Sequence, residues 1–141
     1  AKRGIVTTYF DAGDNKAGSI ARTNVGGSAT YKIALNKNHL PNTQFATLAH
    51  ELGHLCLGHQ GSDKALKIPD RIGIKHAQRE IEAEAVAYLV CSRHGVDCSS
   101  QSYLANYVQH NTNVDQIDLY QVMRAAGAAE AMLGLNHHLH T

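Results

Sequence analysis

Hydrophobic and polar residues alternate in two stretches near the start of the chain, and this alternation is typical of strands. Residues 5–10 are β-branched and aromatic, and several turn-forming residues follow them. In residues 29–35 the apolar Tyr31, Ile33 and Leu35 occupy every second position, which predicts a half-buried strand at a sheet edge. The two stretches together predict a small antiparallel sheet in the N-terminal part of the chain.

A helical period replaces this alternation further along the chain, where apolar residues recur every three or four positions. The period covers residues 44–57, 75–94, 102–108 and 114–133. Asn42 or Thr43 would cap the first helix, and Gly58, Gly95 and Gly134 stand where helices commonly end. A sheet followed by helices predicts an α+β fold with a helical C-terminal part.

Length and composition are those of one globular domain, which we expect to occupy residues 1–141. Hydrophobic residues make up 43% of the chain, enough for a core, and the formal net charge of +1 lacks the basic excess of nucleic-acid-binding domains. No stretch approaches the roughly 18 apolar residues of a membrane span, so no membrane partner is expected.

The two ends of the chain carry separate signals. The chain opens with Ala-Lys-Arg-Gly and no initiator Met, so we expect the C-terminal fragment of a longer protein. Residues 135–141 include His137, His138 and His140 and predict a flexible tail. Any metal that this tail binds is expected to be adventitious.

Cysteine and histidine usage bears on redox state and on metals. Cys56, Cys91 and Cys98 form an odd set without a Cys-x-x-Cys pair, so no disulfide framework is expected and a reducing cytoplasm is the predicted location. Cys56 and Cys91 fall beside apolar positions and are predicted to be small core residues. The chain also has ten histidines, and their spacing decides whether they form a metal site.

The most specific motif is His-Glu-x-x-His at residues 50–54. On a helix, His50 and His54 lie about 40° apart around the axis, so both imidazoles can reach one ion. Glu51 projects beside the pair and can take a proton from a metal-bound water. The motif predicts a zinc-dependent hydrolase in which His50 and His54 hold Zn²⁺ and Glu51 is the catalytic general base.

The helical wheel supports this interpretation because it separates two faces of the first helix. The apolar face contains Phe45, Leu48, Ala49, Leu52, Leu55 and Cys56. The three motif residues lie opposite, together with Thr47. The alternative is a solvated polar face that carries two histidines by chance.

Zinc in a catalytic site usually has three protein ligands, so a third must be found. A histidine ten residues after His50 would complete one common pattern, but Gln60 stands there. His59 follows the helix-ending Gly58 and is more typical of a structural or supporting residue than of a ligand.

The second helix offers a carboxylate as the third ligand. Its predicted apolar face contains Ile81, Ala85, Val86 and Leu89. Glu82 lies within that face, whereas Glu80 and Glu84 are predicted to point away from it. A carboxylate in the core needs a partner, and zinc would provide one. The alternative is a buried ion pair of Glu82 with Arg71 or Arg79.

These segments resemble a known family. The sequence from His50 to His59, with Glu82 to Tyr88, resembles the ImmA/IrrE-type zinc metallopeptidases, and it is most similar to the metallopeptidase domain of ArdC-like antirestriction proteins. The family's second motif has its glutamate ligand three residues before a helix alanine, which selects Glu82 before Ala85. Many ImmA-like members have Asn where this chain has Val86, which favours the ArdC-like branch.

The resemblance implies a gluzincin-like zincin fold, in which a small sheet packs on two metal-bearing helices and its edge strand pairs with an extended substrate. The strand near Ile33 would serve as that edge. ArdC-like proteins also imply an upstream single-strand-DNA-binding domain. The predicted function is a peptidase acting on a protein or peptide. The alternative is an antirestriction or DNA-transfer accessory module that binds metal without significant proteolysis.

A metallohydrolase also needs a hydrogen-bond donor for the developing oxyanion. The sequence offers candidates without ranking them: Tyr88, Tyr103, Tyr107, His76 and His110.

Overall fold

The computed structural model describes residues 4–11, 13, 16–25, 28–97 and 118–135. In this part of the chain three strands precede three helices, which confirms an α+β fold. The elements are β1 (Ile5–Phe10), β2 (Gly18–Val25), β3 (Ser28–Asn36), α1 (Pro41–Cys56), α2 (His76–Arg93) and α3 (Leu119–Met132). None of these helices combines the length and the apolar character needed to cross a membrane.

The sheet is mixed, with the strand order β1-β3-β2. Strands β2 and β3 form an antiparallel hairpin, whereas β1 pairs with β3 in parallel. The prediction of an antiparallel sheet is therefore right for one pair and wrong for the other. Because β2 reverses the chain and β3 reverses it again, β3 enters beside β1 in the same direction.

The predicted strand over residues 29–35 is confirmed, but its position at the edge is wrong, because β3 is the central strand. Its alternation has the predicted effect: Tyr31, Ile33 and Leu35 are 1%, 0% and 3% exposed. Asn36 ends the strand, and its buried side chain donates hydrogen bonds to the backbone carbonyls of Gly13 and Lys16. These contacts hold the backbone of Gly13 and Lys16 beside the end of β3.

Helix α1 begins at Pro41, earlier than the sequence pattern predicts. Proline at the first helical position needs no hydrogen-bond partner for its nitrogen, and its fixed φ suits a helix start. The N-cap is Leu40, which makes no side-chain capping bond, so the prediction of Asn42 or Thr43 as the cap is wrong. Gly58 follows the helix with a φ of +81°, as the sequence predicts.

Helix α2 agrees with its predicted range to within one residue at each end, and α3 ends one residue before its predicted end. Gly95 and Gly134 follow α2 and α3 in the left-handed conformation. The side chain of Asp118 caps α3 by accepting a hydrogen bond from the backbone N–H of Gln121. The helix predicted at residues 102–108 and the start of the one predicted from residue 114 lie outside the described residues.

Helices α1 and α2 pack closely, and this contact positions the site. Gly53 is at the point of closest approach, where a Cβ would lie 3.1 Å from the Cβ of Val86 and 3.3 Å from the carbonyl oxygen of Ala83. A larger residue at position 53 would therefore push the helices apart. Because Gly53 stands beside His54, the close approach brings the polar residues of α2 to the histidines of α1.

Candidate metal centre

The two motif histidines meet on α1 as the sequence predicts. His50 and His54 are one helical turn apart, and their Nε2 atoms are 3.2 Å apart. This side of the helix is not solvated, because Glu51 and His54 are only 8% and 9% exposed. The structure therefore differs from the alternative of a solvated polar face, since burial of these groups requires partners.

Helix α2 supplies a carboxylate to the same point. Glu80 lies with Oε1 3.3 Å from Nε2 of His50 and with Oε2 3.1 Å from Nε2 of His54. One ligand atom from each of the three residues lies within 4.8 Å of the others. Zinc bonds of about 2.0–2.1 Å in tetrahedral geometry put adjacent ligand atoms about 3.3 Å apart. The donor set and its spacing therefore fit zinc.

Charge in this cluster also suits a cation. Burial lowers the pKa of His50, but hydrogen bonds to Glu80 and Glu84 outweigh it and raise the value to about 10. Hydrogen bonds from His50 and His54 hold the pKa of Glu80 well below its usual range. Glu80 therefore stays ionised and favours positive charge beside it, which a divalent metal ion can supply in place of protons.

The ring nitrogens that face away from this point also have partners. Nδ1 of His50 is 2.8 Å from Oε1 of Glu84, and Nδ1 of His54 is 2.9 Å from Nδ1 of His59. Such partners orient metal-binding histidines and fix which nitrogen carries the proton. The expectation that His59 supports the site agrees with its position. Glu84 points away from the apolar face of α2 as expected, but it contacts His50.

Glu82 lies on the other side of α2. Its side chain is fully buried, as predicted, but it does not reach the histidine pair. Both of its oxygens are 2.8 Å from the guanidinium nitrogens of Arg71, and Oε1 is 3.0 Å from Nε2 of His59. Burial raises the pKa of Glu82, yet hydrogen bonds from His59, Arg71 and Gln78 outweigh this and lower it to about 2. The ion pair with Arg71 considered as the alternative is thus the observed arrangement.

Helix geometry explains why Glu80, and not Glu82, lies beside His50 and His54. Two residues on a helix separate side chains by about 200°, so these two glutamates cannot face the same side. The sequence argument assumed that a ligand must face the core. The histidines instead lie at the margin of the α1–α2 contact, where Glu80 and Glu84 face them. The spacing of these glutamates, four residues like that of His50 and His54, was the signal in the sequence.

Glu51 lies in the cleft beside this cluster. Burial raises its pKa, although the neighbouring histidines act in the opposite direction. A carboxylate with a raised pKa is a better proton acceptor at neutral pH. The cleft has a volume of about 360 Å³ and is also lined by Ile20 of β2 and by His76 and Arg79 of α2.

Other residues singled out from the sequence fall in different places. Ile33 is fully buried in the central strand, so it cannot form the substrate-binding edge; β2 lies beside the cleft instead. His76 lines the cleft, whereas Tyr88 is not among its lining residues in the described part of the chain. Cys56 and Cys91 are buried, as predicted.

Several sequence predictions cannot be placed, because their residues lie outside the described part of the chain. These residues are Cys98, Tyr103, Tyr107, His110, His137, His138 and His140.

Comparison with known proteins gives one family and one relative. Residues 1–92 match the model of the IrrE N-terminal-like domain, the family Peptidase_M78. An uncharacterized protein of Bacillus anthracis, pXO2-81, is 24% identical over 115 residues, which are 80% of this chain and 18% of the relative. The chain therefore spans less than a fifth of that relative's length. No solved structure matches the chain.

Proposed function

Because the chain belongs to the IrrE N-terminal-like domain family, Peptidase_M78, we propose that it is a zinc metallopeptidase. His50, His54 and Glu80 would hold the metal. The observation that carries the proposal is the meeting of two imidazole nitrogens and one carboxylate at mutual distances of 3.1–3.3 Å. With three protein ligands, the site would keep a position open for water or substrate, as catalytic zinc sites do.

Zinc bound there would polarise the substrate carbonyl and lower the pKa of a coordinated water. Glu51 would move the protons; the support is that it lies in the cleft and that its pKa is raised by burial. It would accept a proton from the attacking water and later donate it to the leaving amine. Glu84 would hold His50 through Nδ1 and so leave Nε2 free to bind the metal.

The position of strand β2 favours a peptide as the substrate. Among the described residues β2 pairs with β3 on one side only, and residues 18–20 at its start line the cleft. An extended peptide would add to the free edge by backbone hydrogen bonds. His76 and Arg79, which also line the cleft, are placed to stabilise the negative charge that develops on the carbonyl oxygen.

We further propose that the chain is most similar, within this family, to the metallopeptidase domain of ArdC-like antirestriction proteins. The support is the sequence around Val86 described above. An upstream single-strand-DNA-binding domain and a cytoplasmic location belong to the same proposal. In the alternative function, the fold would act as an antirestriction or DNA-transfer accessory module without significant proteolysis.

The test is hydrolysis of a peptide library by the zinc-loaded wild type and by Glu51→Gln. Removal of a well-placed general base costs about 10² to 10⁴ in rate, so we expect such a loss with zinc content and melting temperature unchanged. Loss of zinc from Glu51→Gln would contradict the role assigned to Glu51. No hydrolysis by either protein, with antirestriction activity intact in both, would favour the accessory module.

A further inference from the structure

A line of buried polar contacts leads away from the metal centre through His59. Nδ1 of His54 is 2.9 Å from Nδ1 of His59, and Nε2 of His59 is 3.0 Å from Oε1 of Glu82. The side chains of His59 and Glu82 are 2% and 0% exposed. The line therefore joins a loop residue and a core carboxylate to His54 within the protein interior.

The positions of the protons on this line follow from the geometry. A contact between two Nδ1 atoms is a hydrogen bond only if one of them carries a proton and the other does not. When His54 binds a metal through Nε2, its own proton must be on Nδ1, so His54 donates and His59 accepts. His59 then carries its proton on Nε2 and donates it to Glu82.

We infer that His59 and Glu82 are positioning residues that fix the tautomer and the ring orientation of His54. The inference rests on the proposed function, since it assigns Nε2 of His54 to the metal. His50 has a shorter equivalent, because its Nδ1 contacts Glu84 directly. Both histidines would thus carry the proton on Nδ1. His50 donates it directly to the carboxylate of Glu84, whereas His54 donates it to the imidazole of His59, which in turn contacts the carboxylate of Glu82.

Glu82 is held as an acceptor by its other contacts. Arg71 donates to both carboxylate oxygens at 2.8 Å, and the side chain of Gln78 donates to Oε2 at 3.1 Å. Arg71 also donates to the carbonyl oxygen of Leu57, which ties it to the end of α1. Because each of these groups donates to Glu82, its carboxylate acts as an acceptor and can also accept the Nε2 proton of His59.

The test compares zinc affinity, by competition with a chromophoric chelator, in wild type, His59→Phe and His59→Gln. Loss of a residue that orients a metal ligand typically costs 10- to 100-fold in affinity, and we expect this from His59→Phe. A glutamine can accept from His54 and donate to Glu82, so His59→Gln should recover most of the loss. Wild-type affinity in His59→Phe would overturn the inference.

Two further measurements distinguish the positioning role of His59 from a purely structural role. In the nitrogen-15 spectrum of the zinc-loaded protein, we expect a proton on Nδ1 of His54 in wild type and in His59→Gln, and we expect its hydrogen-bonded shift to disappear in His59→Phe. Glu130→Gln is the matched control, because Glu130 is equally buried and also contacts an arginine and a histidine. It should lower stability and leave zinc affinity unchanged; an equal loss of affinity would overturn the inference.

Three outcomes concern folding and the proposed function. If His59→Phe does not fold, Glu82→Gln serves instead, and we expect a loss of zinc affinity of about tenfold; no loss would overturn the inference. If the wild type binds no zinc through His50 and His54, the proposed function fails, and the positioning role of His59 and Glu82 fails with it. If the wild type binds zinc and His59→Phe binds it equally well, only the positioning role of His59 and Glu82 fails.

Discussion

Glu82 and Glu130 are two fully buried carboxylates with similar partners, but they differ in their position relative to the candidate metal centre. Each contacts one arginine and one histidine: Glu82 contacts Arg71 and His59, and Glu130 contacts Arg93 and His94 at distances of 2.9 Å. Isolated buried charge is costly, and in both places an ion pair and hydrogen bonds offset that cost. In both clusters an arginine and a histidine therefore stabilise a buried carboxylate.

The two clusters differ in where they lie in the fold. The Glu130 cluster joins the C-terminal end of α2 to α3 and contributes no residue to the cleft among those described there. The Glu82 cluster joins the loop after α1 to α2, and its histidine both lines the cleft and contacts His54. The comparison teaches that burial and pairing alone do not identify a functional carboxylate. What the paired histidine contacts next is the deciding feature.

The largest effect should come from removing each carboxylate entirely. Glu82→Ala and Glu130→Ala each leave an unpaired arginine, and breaking a buried pair in this way costs about 3–5 kcal/mol of unfolding free energy. We expect Glu82→Ala to cost more, because its partners Arg71 and His59 are 12% and 2% exposed, against 28% and 17% for Arg93 and His94. Urea denaturation of the metal-free proteins measures both values, and a larger cost at Glu130 would reverse the comparison.

A smaller effect on the unfolding free energy is expected when the pH is lowered. The folded-state pKa of Glu82 is lowered to about 2 from an ordinary value of 4.5, so its ionised form stabilises the fold above about pH 4.5. That contribution should decline as the pH falls from about 4.5 towards 2. The difference in unfolding free energy between wild type and Glu82→Gln should therefore shrink over this range, when measured without metal. A constant difference would show that the charge of Glu82 is not what stabilises the fold.

The sequence predicted the parts of the molecule that local periodicity controls. Alternation placed Tyr31, Ile33 and Leu35 on one buried face, and the helical period brought His50 and His54 together. Each of these results depends on residues within one element. For the same reason the burial of Glu82 was predictable from the wheel of α2 alone.

The parts that depend on contacts between elements were not predictable in this way. Which carboxylate of α2 meets the histidines depends on how α2 is rotated against α1, and the periodicity of α2 places its apolar face but not the margin where Glu80 lies. Strand β2 was missed because Arg22, Thr23 and Asn24 interrupt any apolar alternation. The parallel pairing of β1 depends on the strand order, which no local pattern specifies.

Zinc binding by variants of the two glutamates on α2, Glu80 and Glu82, tests the central claim most directly. We expect about one zinc per chain, loss of binding in His54→Ala, and a decrease in Glu80→Gln beyond the 10- to 100-fold typical of residues that only orient a ligand. Truncation after Asn136 should not change these values, which excludes the terminal histidines. If Glu80→Gln bound zinc like the wild type while Glu82→Gln lost it, the metal centre proposed for this chain would be contradicted.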